Sequence, residues 1–367
     1  MPRYLFSSHD GFGLGHVKRN ATIARALLAA EPEADVTLVT GAARQPRWLG
    51  DDPRLALVAV PPLIKDSTGA YRNGELSFEE AVRQRAAIFE RAVADIGPDV
   101  IVVDRHPYGT AGELRPGLEM AAARGARLVL GLRDILDEPM QVRQELAGDG
   151  WAGVAEMFDT VLVYGESALC DHEAEYGLPV SPTYCGWVVE SVDPAHRDPA
   201  VVAVAAGGGG DGDAVYALAG QLAGLLPERR VVVAAGPYAS RSLPVAAGGR
   251  VTVARDVPGC AGLFARAGAV VQMAGYNSTV ESLAAGVRPI LVPRRSPRRE
   301  QAIRATRLAA MGLADVVDEG APAEEVAWLL GRPRLLAEGQ VEAHGLRLDG
   351  AATAASHLMA LVGAGAR

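Results

Sequence analysis

The chain has 367 residues, 49% of them hydrophobic and 22% charged, with 36 basic against 44 acidic residues and a formal net charge of −8. That length is too great for one ordinary compact domain and suits two of α/β size. The acidic balance argues against a general nucleic-acid-binding surface, though not against a local anion site. Cys170, Cys185 and Cys260 lie too far apart for a metal-ligand motif, and their odd number makes no disulfide framework. Lys18 and Lys65 are the only lysines, so the basic residues are nearly all arginine, which reads as a genomic composition bias. The opening MPRYLFSSHDG reads as a strand rather than as a charged region before a long apolar core. No signal peptide is expected, and no apolar run approaches a membrane span. The expected location is the cytoplasm, with a peripheral membrane contact left open.

In chain order, residues 4–8 read as a strand, 9–16 as a glycine-rich turn and 17–30 as a helix. Ile23, Leu27 and Leu28 share the apolar face of that helix, with Lys18, Arg19 and Arg25 elsewhere. A strand at 35–40 completes a βαβ opening, which points to a parallel sheet. Gly11, Gly13 and Gly15 are two apart throughout and lack the dinucleotide spacing. No acidic residue closes the second strand, so NAD is not expected. A strand at 55–60 follows, then a polar, turn-rich surface loop at 63–77 and a long amphipathic helix at 78–96. The strand at 98–104 ends in Asp104, directly before Arg105 and His106. Ligand groups in open α/β sheets gather beyond the carboxyl ends of strands, which makes that position informative. Further strands fall at 127–132 and 160–164, and the regular pattern ends near Gly186 and Trp187.

The same grammar then restarts. A strand at 201–205 leads into the glycine turn 206–212, a helix at 213–226, and strands at 230–234, 251–254 and 269–272. The expected organisation is a first domain over 1–188, a second over 189–348 and a final segment over 349–367. Two Rossmann-like parallel-sheet domains facing across a cleft would provide a place for ligands. Asp211-Gly212-Asp213 has the look of a metal-binding Asp-x-Asp. It lies within the glycine turn, so it reads as turn and N-cap chemistry, and no metal is expected.

The densest stretch is 269–302. An apolar strand is broken at Ala274-Gly275-Tyr276; Asn277 and Ser278 then read as N-cap residues of a short helix that Gly286 ends. A strand at 289–292 and an arginine-rich loop lead to Glu300, Gln301 and another helix to about 311. Helix N-termini offer unpaired N–H groups and a positive dipole end, which suit phosphate. Glu281, read as a first-turn residue, could accept from a ribose hydroxyl. The stretch therefore reads as a nucleotide site.

With Gly286, Pro293, Glu300 and Gln301 behind it, Gly275-Tyr-Asn-Ser-Thr-Val-Glu-Ser282 resembles the donor box of nucleotide-sugar-dependent UDP-glycosyltransferases. The chain as a whole resembles the MurG-like members, glycosyltransferase family 28. In particular it resembles a bacterial group with Gly-Leu-Gly-His near the start and Pro-Arg-Arg-Glu-Gln late. The resemblance implies GT-B architecture and an inverting, metal-independent transfer from a nucleotide-diphosphate sugar, such as a UDP-sugar, with no cofactor besides that co-substrate. It also implies that the final helix, at about 350–362, reaches back to the first domain. Asn277 and Ser278 would meet the diphosphate together with N–H groups of the 207–212 turn, Gly208, Gly209 and Gly210 among them. Glu281 would hold the ribose, Glu300 and Gln301 the donor sugar, and Val257 would read the base through its backbone. His16 matches an early histidine that acts as general base, and Asp104 the acid that orients it. Met273 departs from the pattern, standing where many relatives carry a phosphate-binding histidine, and Tyr276 replaces a common tryptophan.

The chemistry suits those residue types. A histidine can take a proton from an acceptor hydroxyl while a carboxylate fixes its tautomer. Helix N-termini and polar donors can carry the charge of the leaving diphosphate. Plainer roles stand beside these: His16 as a polar residue at a helix start, Asp104 as an Asx-turn residue, Glu281 as a dipole partner. Arg294, Arg295, Arg298 and Arg299 read either as a solvated loop or as a group that meets an anion. A nucleotide-sugar 2-epimerase and a non-catalytic nucleotide-sugar-binding protein are the alternatives. The acceptor, whether small natural product, glycan or lipid-linked, carries no recognisable code, and the oligomeric state has none either.

Overall fold

The structure, a computed structural model, describes residues 1–8, 14–42, 52–65, 71–192, 196–208, 210–236, 238–243, 250–255, 257 and 259–365. Residues 9–13 of the early glycine turn, Gly209 and part of the polar 63–77 stretch lie outside these. The chain forms two compact units. The first holds Met1–Asp134, Pro139–Val188 and Asp349–Arg367; the second holds Ile135–Glu138 and Val189–Leu348.

The first unit begins with β1 (Arg3–Ser8), α1 (Gly15–Ala30), β2 (Asp35–Thr40) and β3 (Leu55–Ala59). The short antiparallel pair β4 (Ile64–Lys65) and β5 (Tyr71–Arg72) comes next, then α2 (Phe78–Ile96), β6 (Val100–Asp104), α3 (Arg115–Ala123) and β7 (Arg127–Arg133). It continues with α4 (Pro139–Leu146), α5 (Val154–Met157), β8 (Thr160–Tyr164), α6 (His172–Tyr176) and β9 (Pro182–Tyr184). Among the described residues the main sheet has seven strands in the order β3-β2-β1-β6-β7-β8-β9, paired in parallel throughout. Near-continuous aliphatic runs such as Val100-Ile-Val-Val103 are buried on both faces, as crossover helices require. The stretch expected as a surface loop at 63–77 contains regular structure among its described residues. It holds the β4–β5 pair, buries Leu63, and turns where Asn73 Oδ1 accepts from Glu75 N and Leu76 N at 2.9 Å each.

The second unit runs β10 (Asp198–Ala205), α7 (Asp213–Leu225), β11 (Arg230–Ala235), β12 (Val251–Arg255), α8 (Ala261–Arg266) and β13 (Ala267–Gln272). It then adds α9 (Tyr276–Ala284), β14 (Ile290–Leu291), α10 (Glu300–Ala310), β15 (Asp315–Val316) and α11 (Ala323–Leu330). Its parallel sheet follows the order β12-β11-β10-β13-β14-β15. Alternation along β10 divides the core. Val202 and Val204 enter the layer beneath α7 and α11, while Val201, Ala203 and Ala205 face the layer of Phe264 and Val270.

The chain then returns to the first unit as α12 (Gly350–Gly365), which packs against α1. Its start needs glycine, because a Cβ on Gly350 would lie 2.3 Å from the Gly186 carbonyl oxygen. Gly350 N donates to Trp187 O at 3.0 Å, and the fully buried Trp187 indole donates to Asp134 at 3.2 Å. Among the described residues no helix is long and apolar enough to cross a membrane.

In each unit the strand order reverses once, between β1 and β6 in the first and between β10 and β13 in the second. Connections leave such a pair of strands in opposite directions, which opens a crevice at their carboxyl ends. His16 and Asp104 lie at the first of these points, and the glycine turn and the start of α9 follow β10 and β13 at the second; Val257 follows β12, and Glu300 and Gln301 follow β14.

His172 is fully buried, with Nδ1 3.1 Å from Cys170 O and Nε2 3.1 Å from Arg133 O. Burial pushes its pKa down, and the two carbonyls offset only part of that. A lowered histidine pKa stabilises the fold above the unfolded value of about 6.5 and loses that contribution as pH falls through the folded value. The melting temperature is expected to drop between about pH 7 and about pH 5, and less steeply in His172→Gln. Equal slopes for the two proteins in scanning calorimetry would refute the assignment.

Candidate functional site

In the first unit, β1 and β6 are adjacent, and α1 starts just beyond β1. The helix begins at Gly15 with Leu14 at its cap and no side-chain cap bond, so His16 does not serve as a cap. Its Nδ1 lies 2.9 Å from Asp104 Oδ2 at the end of β6. Asp104 is 1% exposed. One turn along α1, Arg19 places Nη2 2.7 Å from both Asp104 oxygens. Burial by itself would push the Asp104 carboxyl up; the Arg19 guanidinium and then His16 overturn that and hold it well below the usual carboxylate range. An ionised carboxylate only accepts, so Nδ1 carries the hydrogen and Nε2 is the basic nitrogen. The 3.1 Å approach of Arg19 Nη2 to Nδ1 is then close packing between two donors. Asn20 completes the cluster, donating to Ser8 Oγ at 2.8 Å.

Arg19 is a member of this cluster that the sequence pattern concealed. On the helical wheel it reads as solvated, yet it is 3% exposed and its guanidinium lies 5.2 Å from the Tyr164 ring centroid. The available signal is its spacing, three residues after His16, which puts both side chains on one face.

In the second unit, the glycine turn joins β10 to α7. A Cβ on Gly212 would lie 2.3 Å from Ala206 Cβ, so the strand and the helix start approach too closely for any other residue. Gly208 is half-buried, its carbonyl accepting from Tyr238 N at 3.0 Å; Gly210 is exposed; Gly209 lies outside the described residues. Asp211 does not act as an N-cap. Gly212 occupies that place without a side-chain cap bond, and Asp211 instead pairs with Arg294 Nη1 at 2.7 Å.

Beyond β13, the cap of α9 is Gly275 in extended conformation, and the helix starts at Tyr276. Asn277 and Ser278 are therefore inside the first turn rather than at the cap. Asn277 is half-buried, and Ser278 Oγ is 3.4 Å from Gly275 O. The earlier start also moves Glu281 out of the first turn. It is buried, and its Oε2 accepts from Cys260 N at 2.9 Å, which ties α9 to the loop bearing half-buried Val257. Met273 is buried among Val271, Ile290 and Val292, a packing residue with no N–H to offer a phosphate.

Glu300 and Gln301 open α10 and are both buried. Arg294 Nη2 reaches Glu300 Oε1 at 3.0 Å, and Arg294 N donates to Gln301 Oε1 at 3.2 Å. The arginine run is mostly paired: Arg295 with Asp318, and Arg299 with Glu138 at 2.7 Å, while Arg299 N donates to Asp137 at 2.9 Å. Arg298 has no carboxylate partner among the described residues. The structure thus brings His16 and Asp104 together in one unit, and in the other it gathers the glycine turn with Glu300 and Gln301 through Arg294, and Val257 with Glu281 through Cys260.

No protein-family model matches the chain, and no curated sequence does. Solved structures match it over nearly its full length. The glycosyltransferase of kitacinnamycin superposes with a TM-score of 0.64 at 15% identity, covering 99% of this chain and 100% of that one. SnogD from Streptomyces nogalater, also a glycosyltransferase, gives 0.62 at 20%, covering 98% and 99%. MurG from Acinetobacter baumannii gives 0.55 at 15%, covering 99% of each. The chain has the GT-B fold. Its two parallel-sheet units are the Rossmann-like units of that fold.

Removing one partner of a buried ion pair leaves an uncompensated charge. Asp104→Asn, which strands Arg19, is expected to lower the unfolding free energy by about 3 kcal/mol. Adding Arg19→Met should recover part of that loss. Urea denaturation of the wild type, both single variants and the double variant measures it, and additive losses would show that Arg19 is not held by Asp104.

Proposed function

We propose that the chain is an inverting glycosyltransferase that moves a sugar from a nucleotide-diphosphate sugar to an acceptor hydroxyl without a metal. The observation that carries this reading is the 2.9 Å contact of His16 with a buried, ionised Asp104 at the switch point of one GT-B unit. A histidine merely closing a helix would need no such partner. The structures on which the chain superposes include glycosyltransferases, which favours the same class.

In this reading His16 Nε2 takes the proton of the acceptor hydroxyl as its oxygen attacks the anomeric carbon. Asp104 holds the ring through Nδ1. The bond from that carbon to the diphosphate oxygen breaks, and the electron pair leaves with the diphosphate. A single displacement from the opposite face inverts the centre. Backbone N–H groups at the glycine turn and the first turn of α9, with Asn277 and Ser278, would carry the charge that develops on the leaving group. Glu281 would accept from the ribose, Val257 would meet the base, and Glu300 and Gln301 would accept from the sugar hydroxyls. A nucleotide sugar is then the co-substrate. The acceptor is a hydroxyl compound, with small natural products, glycans and lipid-linked sugars as the classes to screen.

Incubating the protein with UDP-, GDP-, TDP- and ADP-sugars, with and without acceptor mixtures, should release nucleoside diphosphate in proportion to glycosylated product. Stable binding without consumption would make it a binding protein; inversion at C2 without an acceptor would make it an epimerase. His16→Ala is expected to lower kcat by about 10²- to 10⁴-fold and leave the donor KM nearly unchanged. Full turnover by that variant would remove the general-base role.

A further inference from the structure

Asp211 lies one residue before the Gly212 cap of α7, outside the capping position. Its carboxylate reaches across to Arg294, 83 positions later, on the loop before α10. Arg294 spans two elements: Nη1 on Asp211 at 2.7 Å in the glycine turn, Nη2 on Glu300 at 3.0 Å at the start of α10. Its main-chain N–H holds Gln301 Oε1 at 3.2 Å, and its Nε is buried with no partner among the described residues.

That arrangement is unequal at its two ends. Glu300 has a side chain 6% exposed and is fixed by burial; Asp211 is 41% exposed and held mainly by the ion pair. An exposed pair is weak and yields to a competing ligand of higher charge. A diphosphate seated on the glycine turn would be repelled by Asp211 and would offer Arg294 a stronger, bidentate acceptor. One guanidinium facing two carboxylates leaves that cluster with an excess negative charge, which a seated diphosphate increases, so Asp211 opposes the diphosphate until it gives up Arg294.

We propose that Arg294 is the positioning residue that couples diphosphate to donor sugar in this unit, and that Asp211 holds its Nη1 until a diphosphate displaces it. Arg294 keeps Glu300 and Gln301 in place throughout, so the groups that hold the sugar are set by the residue that senses the phosphates. This rests on the reading of the second unit as the nucleotide-sugar site.

Isothermal titration of the full chain tests it with nucleoside diphosphates, the matched nucleosides and one nucleotide sugar, each variant being checked for an unchanged melting temperature. Asp211→Asn should tighten diphosphate binding by about threefold to tenfold and leave nucleoside binding unchanged. Arg294→Met should weaken diphosphate binding about tenfold or more, spare the nucleoside, and erase the affinity difference between nucleotide sugar and free diphosphate. Arg294→Lys, which keeps the charge for a protein that tolerates Met poorly, should fall between. If wild-type protein binds diphosphates and Asp211→Asn binds them no tighter, the displacement is wrong. Equal weakening of nucleoside and diphosphate in the Arg294 variants overturns the coupling role. A wild-type protein that binds no diphosphate in the panel removes the nucleotide-sugar reading itself.

Discussion

The first unit is arranged around one buried carboxylate. Asp104 has no access to water, and a charge in that position is tolerated only if it is paired and hydrogen-bonded. Both partners, His16 and Arg19, come from the first two turns of α1. Satisfying Asp104 therefore fixes the rotation of α1 and its height above the sheet. The buried Asn20–Ser8 contact fastens the same helix to β1. α12 closes over α1, so the C-terminal segment shields the element that carries the histidine. A change at Asp104 acts on stability and on the orientation of His16 through the same two contacts.

The two units repeat a topology and distribute charge differently. At the switch point of the first, a single acceptor is surrounded by two cationic or polar side chains. At the switch point of the second, the side chains near the glycine turn and α10 are mainly carboxylates and an amide gathered by Arg294. That pattern suits opposite tasks in the proposed reaction. The first orients a base for a neutral hydroxyl, while the second must hold sugar hydroxyls with acceptors and still leave donors for phosphate.

Much of the fold was legible because its central strands are uninterrupted aliphatic runs and its long helices have clear amphipathic periods. Residues 35–40, 78–96 and 160–164 form the elements their patterns indicate, with the same ends. Short elements escaped for a physical reason. α5 and α6 span four and five residues, too few to show a period, and β15 is a two-residue strand held by its neighbour β14. The displaced start of α9 shows the limit of cap preferences. Gly275 adopts the extended cap conformation itself, which draws Asn277 and Ser278 into the helix and carries Glu281 on to its second turn. His16 and Asp104 were recognisable as chemical types at strand-end positions. Arg19 was not, and Arg294 was singled out only as one of four arginines that are either solvated or meet an anion, since an arginine with a buried partner has the same spelling as one in water.

Met273 connects these threads. It directly follows the strand that leads to α9, and its side chain belongs to the core layer that includes Val271, Ile290 and Val292. A histidine there would place an imidazole N–H toward that apolar layer or force it to turn away from it, and burying it unpaired would be costly. The thioether removes the conflict and also removes a hydrogen-bond donor from this end of the sheet. The donors that remain at the second switch point are backbone N–H groups, the short side chains of Asn277 and Ser278, and arginine. Of these only arginine carries full charge, and Arg294 is already committed to two carboxylates. An anion entering there must compete with protein acceptors for that charge, so the strength of the Asp211–Arg294 pair bears on how tightly the anion can be held.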